Sequence, residues 1–432
     1  MEPIPQASAS VLKTHGRQLS NPRASLPRRA TKGPLDVDDY INPKYTSTNP
    51  WDTTALAGID HPARDFSYLL RPEIYHPLTQ LEIPPAFRAS SKQPTSSTPL
   101  PSLLSSGHFR AAAIASAQQL TTSTSPTDRA QIFSLLYIRL ATLTLINATP
   151  LAAQEAKVLE DLNSSFYRDP VTNAHVIPWE LRVLAVRLQG IGYGDRRRAV
   201  MGYYDLAREA RVEVAKNAGE ARQMWKGRLE DLGVRVGNAL VEMGDLEGAG
   251  RHLESLRLGR SGADGDEMRR ERIALLYLRI GDVAAAKRFV GEEQAGSMVG
   301  VLQPLVRMAE GRYEDAVEGW KALRAAPSTP NPEMATQNLA VCLLYTGRLD
   351  EVCFSGALCE IAALTCIRQA RSLLEKLVDE GHSFHALTFN LSTMYELCTD
   401  KSQALKTELT EKVASLDMRD VGWEKTNVDF KL

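Results

Sequence analysis

A short motif built on a glycine and an alanine recurs along the chain and constrains its fold more than any other feature. The alanine follows the glycine by five positions, and a large apolar residue comes after it. Glycine tolerates the positive φ at which a helix ends, and an alanine methyl lets the next helix approach closely. We therefore expect a repeated helical hairpin. The complete copies of this Gly/Ala motif are Gly107 to Ala112, Gly194 to Ala199, Gly244 to Ala249, Gly281 to Ala286 and Gly311 to Ala316.

The spacing of the motif and the composition both indicate an all-α chain. From Gly194 onward the glycines lie 50, 37, 30 and 36 residues apart, which brackets the tetratricopeptide period of about 34 residues. The chain has 432 residues, of which 43% are hydrophobic and only 6% aromatic. We predict a tetratricopeptide-like α-solenoid over residues 103–432, a right-handed superhelix of helical hairpins preceded by a disordered N-terminal region. Unrelated helical hairpins are the alternative. Large residues on the same helical face should fill the space between repeats: Tyr203, Leu253, Phe289, Trp320 and Leu323.

The sixth copy of the Gly/Ala motif is interrupted. After Gly347, Val352 stands where the alanine is expected, and removing residues 352–369 brings Ala370 to the fifth position. The ends of this segment can be encoded as those of an intron, because valine codons begin with GT and glutamine can be CAG. We hypothesise that residues 352–369 are a retained intron. If they are translated, they should extend a helix out of register or form a bulge.

Three segments precede the repeats. Residues 1–48 form a basic tail rich in Ser, Pro and Ala, which we expect to be disordered. This tail also resembles a mitochondrial transit peptide, but its prolines would interrupt the amphipathic helix of such a signal. Residues 88–102, rich in Ser, Thr and Pro, are predicted to be a flexible linker.

The segment between them, residues 49–87, is dense in aromatic and aliphatic residues bordered by prolines. Something must bury these side chains. The segment either packs along the first repeats or docks onto a partner subunit, since aromatic and Arg anchors dominate interface energetics. The candidate docking residues are Trp51, Phe66, Tyr68, Leu69, Leu70, Arg71 and Tyr75.

Composition and spacing give no indication of catalysis, and we expect neither a cofactor nor a metal. A net charge of −1 argues against a broad nucleic-acid surface. The glycine run at residues 190–194 has no strand before it, so a repeat turn explains it better than a nucleotide-binding loop. His382 and His385 lie near Glu380, but no further ligand stands at metal spacing. The apolar run Leu135 to Ile146 is too short to span a bilayer.

Two further groups are candidates for binding. Asn338 and Asn390 occupy equivalent places in their repeats, and such an amide could hold the backbone of a bound peptide in a groove. The alternative is an asparagine bonded to its own neighbours or to solvent. At the C-terminus, Trp423, Phe430 and Leu432 either cap the last helix or insert into a neighbouring subunit.

Four passages carry a resemblance to a known family. Residues 62–78, 337–349, 388–397 and 430–432 resemble, in the same order, parts of the subunit-12 family of the trafficking protein particle (TRAPP) complex. The resemblance implies a non-catalytic scaffold associated with the large subunits eight and eleven. The complex tethers vesicles and exchanges nucleotide on a Rab GTPase in ER-to-Golgi traffic and autophagy.

That resemblance also implies a location. The chain would be cytoplasmic and peripheral at ER-Golgi intermediate or Golgi membranes, held there through the complex only. The alternative function is a stand-alone tetratricopeptide adaptor or co-chaperone that binds peptide tails. The sequence does not indicate the set of Lys and Arg that a co-chaperone groove needs beside its asparagines.

Overall fold

The structure is a computed structural model that describes residues 64–170, 172–256, 263–290, 299–326, 331–352, 356–416 and 422–432. The chain divides into two units, Met1–His61 and Pro62–Leu432, and all described residues belong to the second. The predicted basic tail, residues 1–48, and the candidate docking residue Trp51 therefore lie outside the described residues.

The described residues form helices, with a single antiparallel bridge between Arg168 and His175. No helix among them is long and apolar enough to cross a membrane. Short 3-10 helices cover Ser67–Leu70, Pro72–Ile74, Ala156–Leu159, Ser165–Tyr167 and Asn427–Phe430. The α-helices are α1 Pro85–Arg88, α2 Leu100–Ser105, α3 Phe109–Thr122, α4 Arg129–Leu145, α5 Thr149–Glu155, α6 Trp179–Gly192, α7 Arg196–Lys216, α8 Gly219–Met243, α9 Leu246–Ser255, α10 Ala263–Ile280, α11 Val283–Lys287, α12 Val299–Ala309, α13 Tyr313–Ala325, α14 Pro332–Val352, α15 Gly356–Asp379, α16 His385–Cys398 and α17 Ser402–Ser415.

Most helices pack mainly against their neighbours in sequence, whereas α1 packs against α17. The pairs α3 and α4, α7 and α8, α13 and α14, and α14 and α15 make the most extensive contacts. Local pairing of this kind is typical of a helical-repeat array, in which each repeat contacts chiefly the repeats beside it. The prediction of an all-α array of helical hairpins is confirmed.

The glycines of the complete motifs have the backbone conformation that a helix-ending turn requires. Their φ angles are positive: 75° at Gly107, 67° at Gly194, 89° at Gly244, 88° at Gly281 and 77° at Gly311. Where aspartate follows the glycine, its carboxylate caps the second helix by accepting a hydrogen bond from a backbone N–H. The caps are Asp195 to Arg197 N, Asp245 to Gly248 N and Asp282 to Ala285 N.

The alanines of the motifs lie at close helix contacts. All five are buried, and so are Tyr203, Leu253 and Trp320, each four positions after its alanine. Residues three and four apart share one helical face, so each methyl and each large side chain point into the same interior. This confirms the physical interpretation at these positions, whereas Phe289 and Leu323 are only half-buried.

Three clusters of buried apolar side chains form the interior. The first runs from Phe66 to Ala239 through α2 to α8. A small third cluster joins α9, α10 and α11. The second is built from α12 to α17 and the C-terminus, yet it also includes Ile83 and Phe87 from the front of the chain. The segment just before the repeats and the C-terminal helices therefore share a core.

The interrupted sixth motif has a different structure from the other five. Gly347 is not a turn but lies inside α14, which continues to Val352. After residues 353–355, which lie outside the described residues, α15 begins at Gly356 and runs to Asp379. Ala370 is nevertheless fully buried, as are Leu374 and Val378. Of the inserted residues, Val352 ends α14 and residues 356–369 form the first part of α15. The turn expected at Gly347 is therefore replaced by helix.

Candidate interaction surfaces

The front segment, residues 64–78, packs on the first hairpins through its aromatic residues. Phe66 is buried, with its ring 5.1 Å from that of Phe133 and 5.6 Å from that of Phe166. The hydroxyl of Tyr68 lies 2.6 Å from that of Tyr167. Edge-to-face ring pairs of this kind add to the free energy gained from burial. The packing alternative for this segment is therefore realised at Phe66.

The other candidate docking residues differ in exposure. Leu69 is buried beside Phe66 and accepts, through its carbonyl, a hydrogen bond of 2.7 Å from the Tyr75 hydroxyl. Burial, reinforced by nearby Glu155, raises the pKa of Tyr75 above its usual range. Tyr68, Leu70 and Tyr75 are half-buried, and Arg71 is exposed. The segment thus offers a partner chiefly Arg71 and the outer edges of three apolar side chains.

A buried ion pair fixes the end of the front segment. The side chains of Arg139 and Glu155 are 1% and 0% exposed and are joined by hydrogen bonds of 2.7 and 2.9 Å. Arg139 also donates to the carbonyls of His76, at 2.8 Å, and Ala113, at 3.0 Å. The backbone N–H of His76 in turn donates to Glu155 at 3.0 Å. Sequence reasoning missed this clamp, although a lone arginine inside the apolar run Leu135 to Ile146 was its signal.

A groove of about 940 Å³ lies beside α6, α7 and α8. The rings of Trp179 and Trp225 meet edge to face with centroids 5.2 Å apart, and the guanidinium of Arg228 lies 5.1 and 4.6 Å from the two centroids. Trp and Arg are the residue types that most often dominate binding energy. Sequence reasoning missed this groove, because its two tryptophans lie far apart along the chain.

Several charged groups of the groove form ion pairs. Arg182 forms two hydrogen bonds of 2.7 Å with Glu209, and these outweigh burial and lower the pKa of that carboxyl. His175 accepts from the N–H of Ile177 at 3.1 Å and lies 2.8 Å from the carbonyl of Leu162. Burial and the nearby Arg182 lower the pKa of His175 to about 4. The groove therefore holds a histidine that is neutral at pH 7, and more basic than acidic side chains line it.

The two candidate groove asparagines stand on different helices. Asn338 lies on α14 and Asn390 on α16, each half-buried. Neither amide forms a hydrogen bond with another described residue. Their role in a peptide groove stays a prediction.

The C-terminal candidates, like the residues of the front segment, include both buried and exposed side chains. Trp423 and Phe430 are buried in the second core, whereas Leu432 is 43% exposed. A second cavity, of about 700 Å³, lies next to these residues and is lined by residues from three parts of the chain, among them Leu78, Ile146 and Val428.

The glycine run at residues 190–194 is part of a hairpin. A side chain at Gly190 would meet Ala199 at 2.7 Å, and one at Gly192 would meet the carbonyl of Ala153 at 2.4 Å. Gly194 supplies the positive φ of the turn. Close helix contact and a turn thus explain all three glycines.

The structure also places the histidine pair. The imidazole of His385 lies 2.6 Å from the carboxylate of Asp429. Within the described residues, no group of three or more His, Cys, Asp or Glu side chains could hold a metal ion.

Comparison with known proteins gives distant relatives. No family model matches the chain. Trafficking protein particle complex subunit 12 of Mus musculus is 25% identical over 206 residues, which is 45% of this chain and 23% of the mouse protein. The Homo sapiens protein of the same name is 24% identical over 203 residues, 44% of this chain and 25% of its own length. The matched region spans about a quarter of the length of these relatives. The chain is thus distantly similar to a TRAPP subunit.

Proposed function

We propose that this chain is a non-catalytic scaffold subunit of a TRAPP-type vesicle-tethering and Rab-exchange complex. The observation that carries the proposal is the similarity to subunit 12 in two mammals. The all-helical array of hairpins supports it, since such arrays present extended binding surfaces. The chain would act in ER-to-Golgi traffic and autophagy, in the cytoplasm at ER-Golgi intermediate and Golgi membranes.

The finer features follow from the same proposal. The hairpins would belong to the tetratricopeptide family, and the partners would be the large subunits eight and eleven, with a Rab GTPase reached only indirectly. Membrane association would come through the complex. The front segment, through Arg71 and the half-buried Tyr68, Leu70 and Tyr75, would contribute to docking.

Affinity purification tests the proposal. The tagged full-length chain, purified from a native lysate of its source organism, should co-elute with other TRAPP subunits, identified by mass spectrometry. Chaperones without TRAPP subunits would contradict the proposal and favour the co-chaperone alternative. Catalytic turnover by the isolated chain would revive an enzymatic role.

A charge reversal tests the front segment within the same experiment. Arg71→Glu should reduce the recovery of the partner subunits, because the side chain is exposed and available to an acidic partner. Arg88→Glu is the matched control, since Arg88 is also exposed and ends the short helix α1. If Arg71→Glu and Arg88→Glu recover the same amount of partner subunits, the result would argue against docking through residues 64–78.

A further inference from the structure

The C-terminal tail, residues 422–432, contacts the front of the repeat region through backbone hydrogen bonds. The N–H of Trp423 donates to the carbonyl of Gly107 at 3.0 Å, and that of Asn427 donates to the carbonyl of Glu82 at 2.7 Å. The side chain of Asn427 also donates to the carbonyl of Leu81 at 3.1 Å. These bonds join residues more than 300 positions apart in sequence.

Aromatic side chains fill the space between the two ends. Phe87, on α1, is fully buried. Its ring centroid lies 5.3 Å from that of Trp423 and 6.0 Å from that of Phe430. The Trp423 ring also meets His108 edge to face, with centroids 5.1 Å apart. Residues 79–110 thus supply one wall of the pocket that holds the tail.

A charged pair spans the same contact. The side chain of Arg110, at the start of α3, is buried, and its Nε lies 2.9 Å from a carboxylate oxygen of Glu424. Arg110 also donates to the carbonyl of Thr79 at 2.7 Å. One arginine therefore ties the tail to both α3 and the segment that leads to α1.

The tail also forms hydrogen bonds with the last hairpin. The indole N–H of Trp423 donates to the carbonyl of Ala414, on α17, at 3.2 Å. Lys406 of α17 donates to the carbonyl of Lys431 at 2.9 Å. On α16, His385 pairs with Asp429. The tail is the element that both ends of the array share.

We propose that residues 422–432 act as a latch that joins the last hairpin to the first and holds the repeat region closed. Arrays of helical repeats leave an apolar surface at each end, which usually requires a polar capping repeat. Here the latch joins the two ends, so that each end covers the apolar surface of the other. In the closed form neither end can stack on another repeat, and Trp423 and Phe430 are not available to a partner subunit.

The competing possibility is that the tail merely caps α17. A simple cap protects the last hairpin alone, whereas a latch protects both ends. The two differ in what happens to residues 79–110 when the tail is loosened. This difference does not depend on membership of any complex, so the test is independent of the proposed function.

Hydrogen exchange followed by mass spectrometry, on the full chain, separates them. Trp423→Ala combined with Phe430→Ala should speed amide exchange by about tenfold or more in peptides from residues 79–110 and from residues 402–416 together. Peptides from α8 should keep their wild-type exchange. Val428→Ala, in the same tail but 67% exposed, is the matched control and should change neither end.

Faster exchange confined to residues 402–416 would overturn the proposal, as would wild-type exchange at both ends. If circular dichroism shows that the double variant has lost its helices, Glu424→Gln replaces it. That change removes the charge that faces Arg110 and keeps the side-chain shape. It should produce a smaller rise at both ends, and protection unchanged at residues 79–110 would reject the latch.

Discussion

The dipeptide Gly-Arg occurs at Gly311 and again at Gly347, but the first copy forms a turn and the second lies within a helix. Gly311 has a φ of 77° and ends its helix. Gly347 lies inside α14, five residues before its end. The local sequence at the glycine cannot explain the difference, and neither can capping, because Arg312 makes no side-chain cap.

The explanation lies five residues further along the chain. After Gly311 the position of closest helix contact is occupied by Ala316, which is fully buried. After Gly347 that position holds Val352, whose branched side chain cannot substitute for a methyl at a close crossing. A turn at Gly347 would leave its second helix without a contact surface. The comparison teaches that the glycine permits the turn and the packing of the second helix decides it.

The largest effects should come from the residue four positions after each buried alanine. Trp320 follows Ala316 and Leu374 follows Ala370, and both are buried. Trp320→Ala should lower the free energy of unfolding by about 3–5 kcal/mol and Leu374→Ala by about 2–5 kcal/mol. Urea denaturation measures both. Tyr345→Ala, at a side chain 44% exposed, is the control. A loss at Leu374 no larger than at Tyr345 would show that α15 does not keep the repeat register.

The positive φ at Gly244 gives the next prediction. Its φ is 89°, so Gly244→Ala should lower the free energy of unfolding by about 1–2 kcal/mol. Gly227→Ala is a matched control, because Gly227 lies within α8 and an added methyl would meet no atom within 4 Å. That change should instead stabilise the chain by about 0.5–1 kcal/mol. Destabilisation of equal size in both variants would refute the assignment of Gly244 as a strained turn.

The hairpin turns were predictable from sequence because each depends on residues a few positions apart. The Gly/Ala motif specifies both the turn and the close helix contact, and Asp245 and Asp282 supply the helix caps. The contacts that organise the two ends were not predictable. Arg139 meets His76 across 63 positions, and Asn427 meets Leu81 across 346. No periodicity encodes such pairs, so the burial of Phe66 could be anticipated while its neighbours could not.

A smaller effect is expected at the helix caps. Asp245→Ala removes the hydrogen bond to Gly248 N, 2.9 Å long, and should lower the free energy of unfolding by about 1 kcal/mol. Asp245→Asn should keep nearly all of the stability, since the asparagine oxygen can accept the same bond. Thermal and urea unfolding measure both variants. Equal losses for alanine and asparagine would mean that the carboxylate charge, and not the cap, stabilises the turn.

The hypothesis of a retained intron concerns the gene, and complementary DNA tests it directly. A spliced message that still encodes residues 352–369 would reject it. A message that lacks the segment would place Ala370 five positions after Gly347, as in the regular copies. The chain without these residues should then form a turn at Gly347.

Gly347→Ala has the smallest expected effect in the full chain but is the most discriminating change, because its sign should depend on the inserted segment. In the full chain Gly347 is helical, so backbone propensity alone predicts that alanine stabilises by about 0.5–1 kcal/mol. In the chain lacking residues 352–369, Gly347 should adopt a positive φ, and alanine should destabilise by about 1–2 kcal/mol. Urea denaturation of the four chains gives both differences, and any packing cost of the methyl that the two backgrounds share cancels between them. A coupling near zero would show that the segment does not control the turn. Opposite signs would show that Val352 and the residues after it convert a turn into a helix.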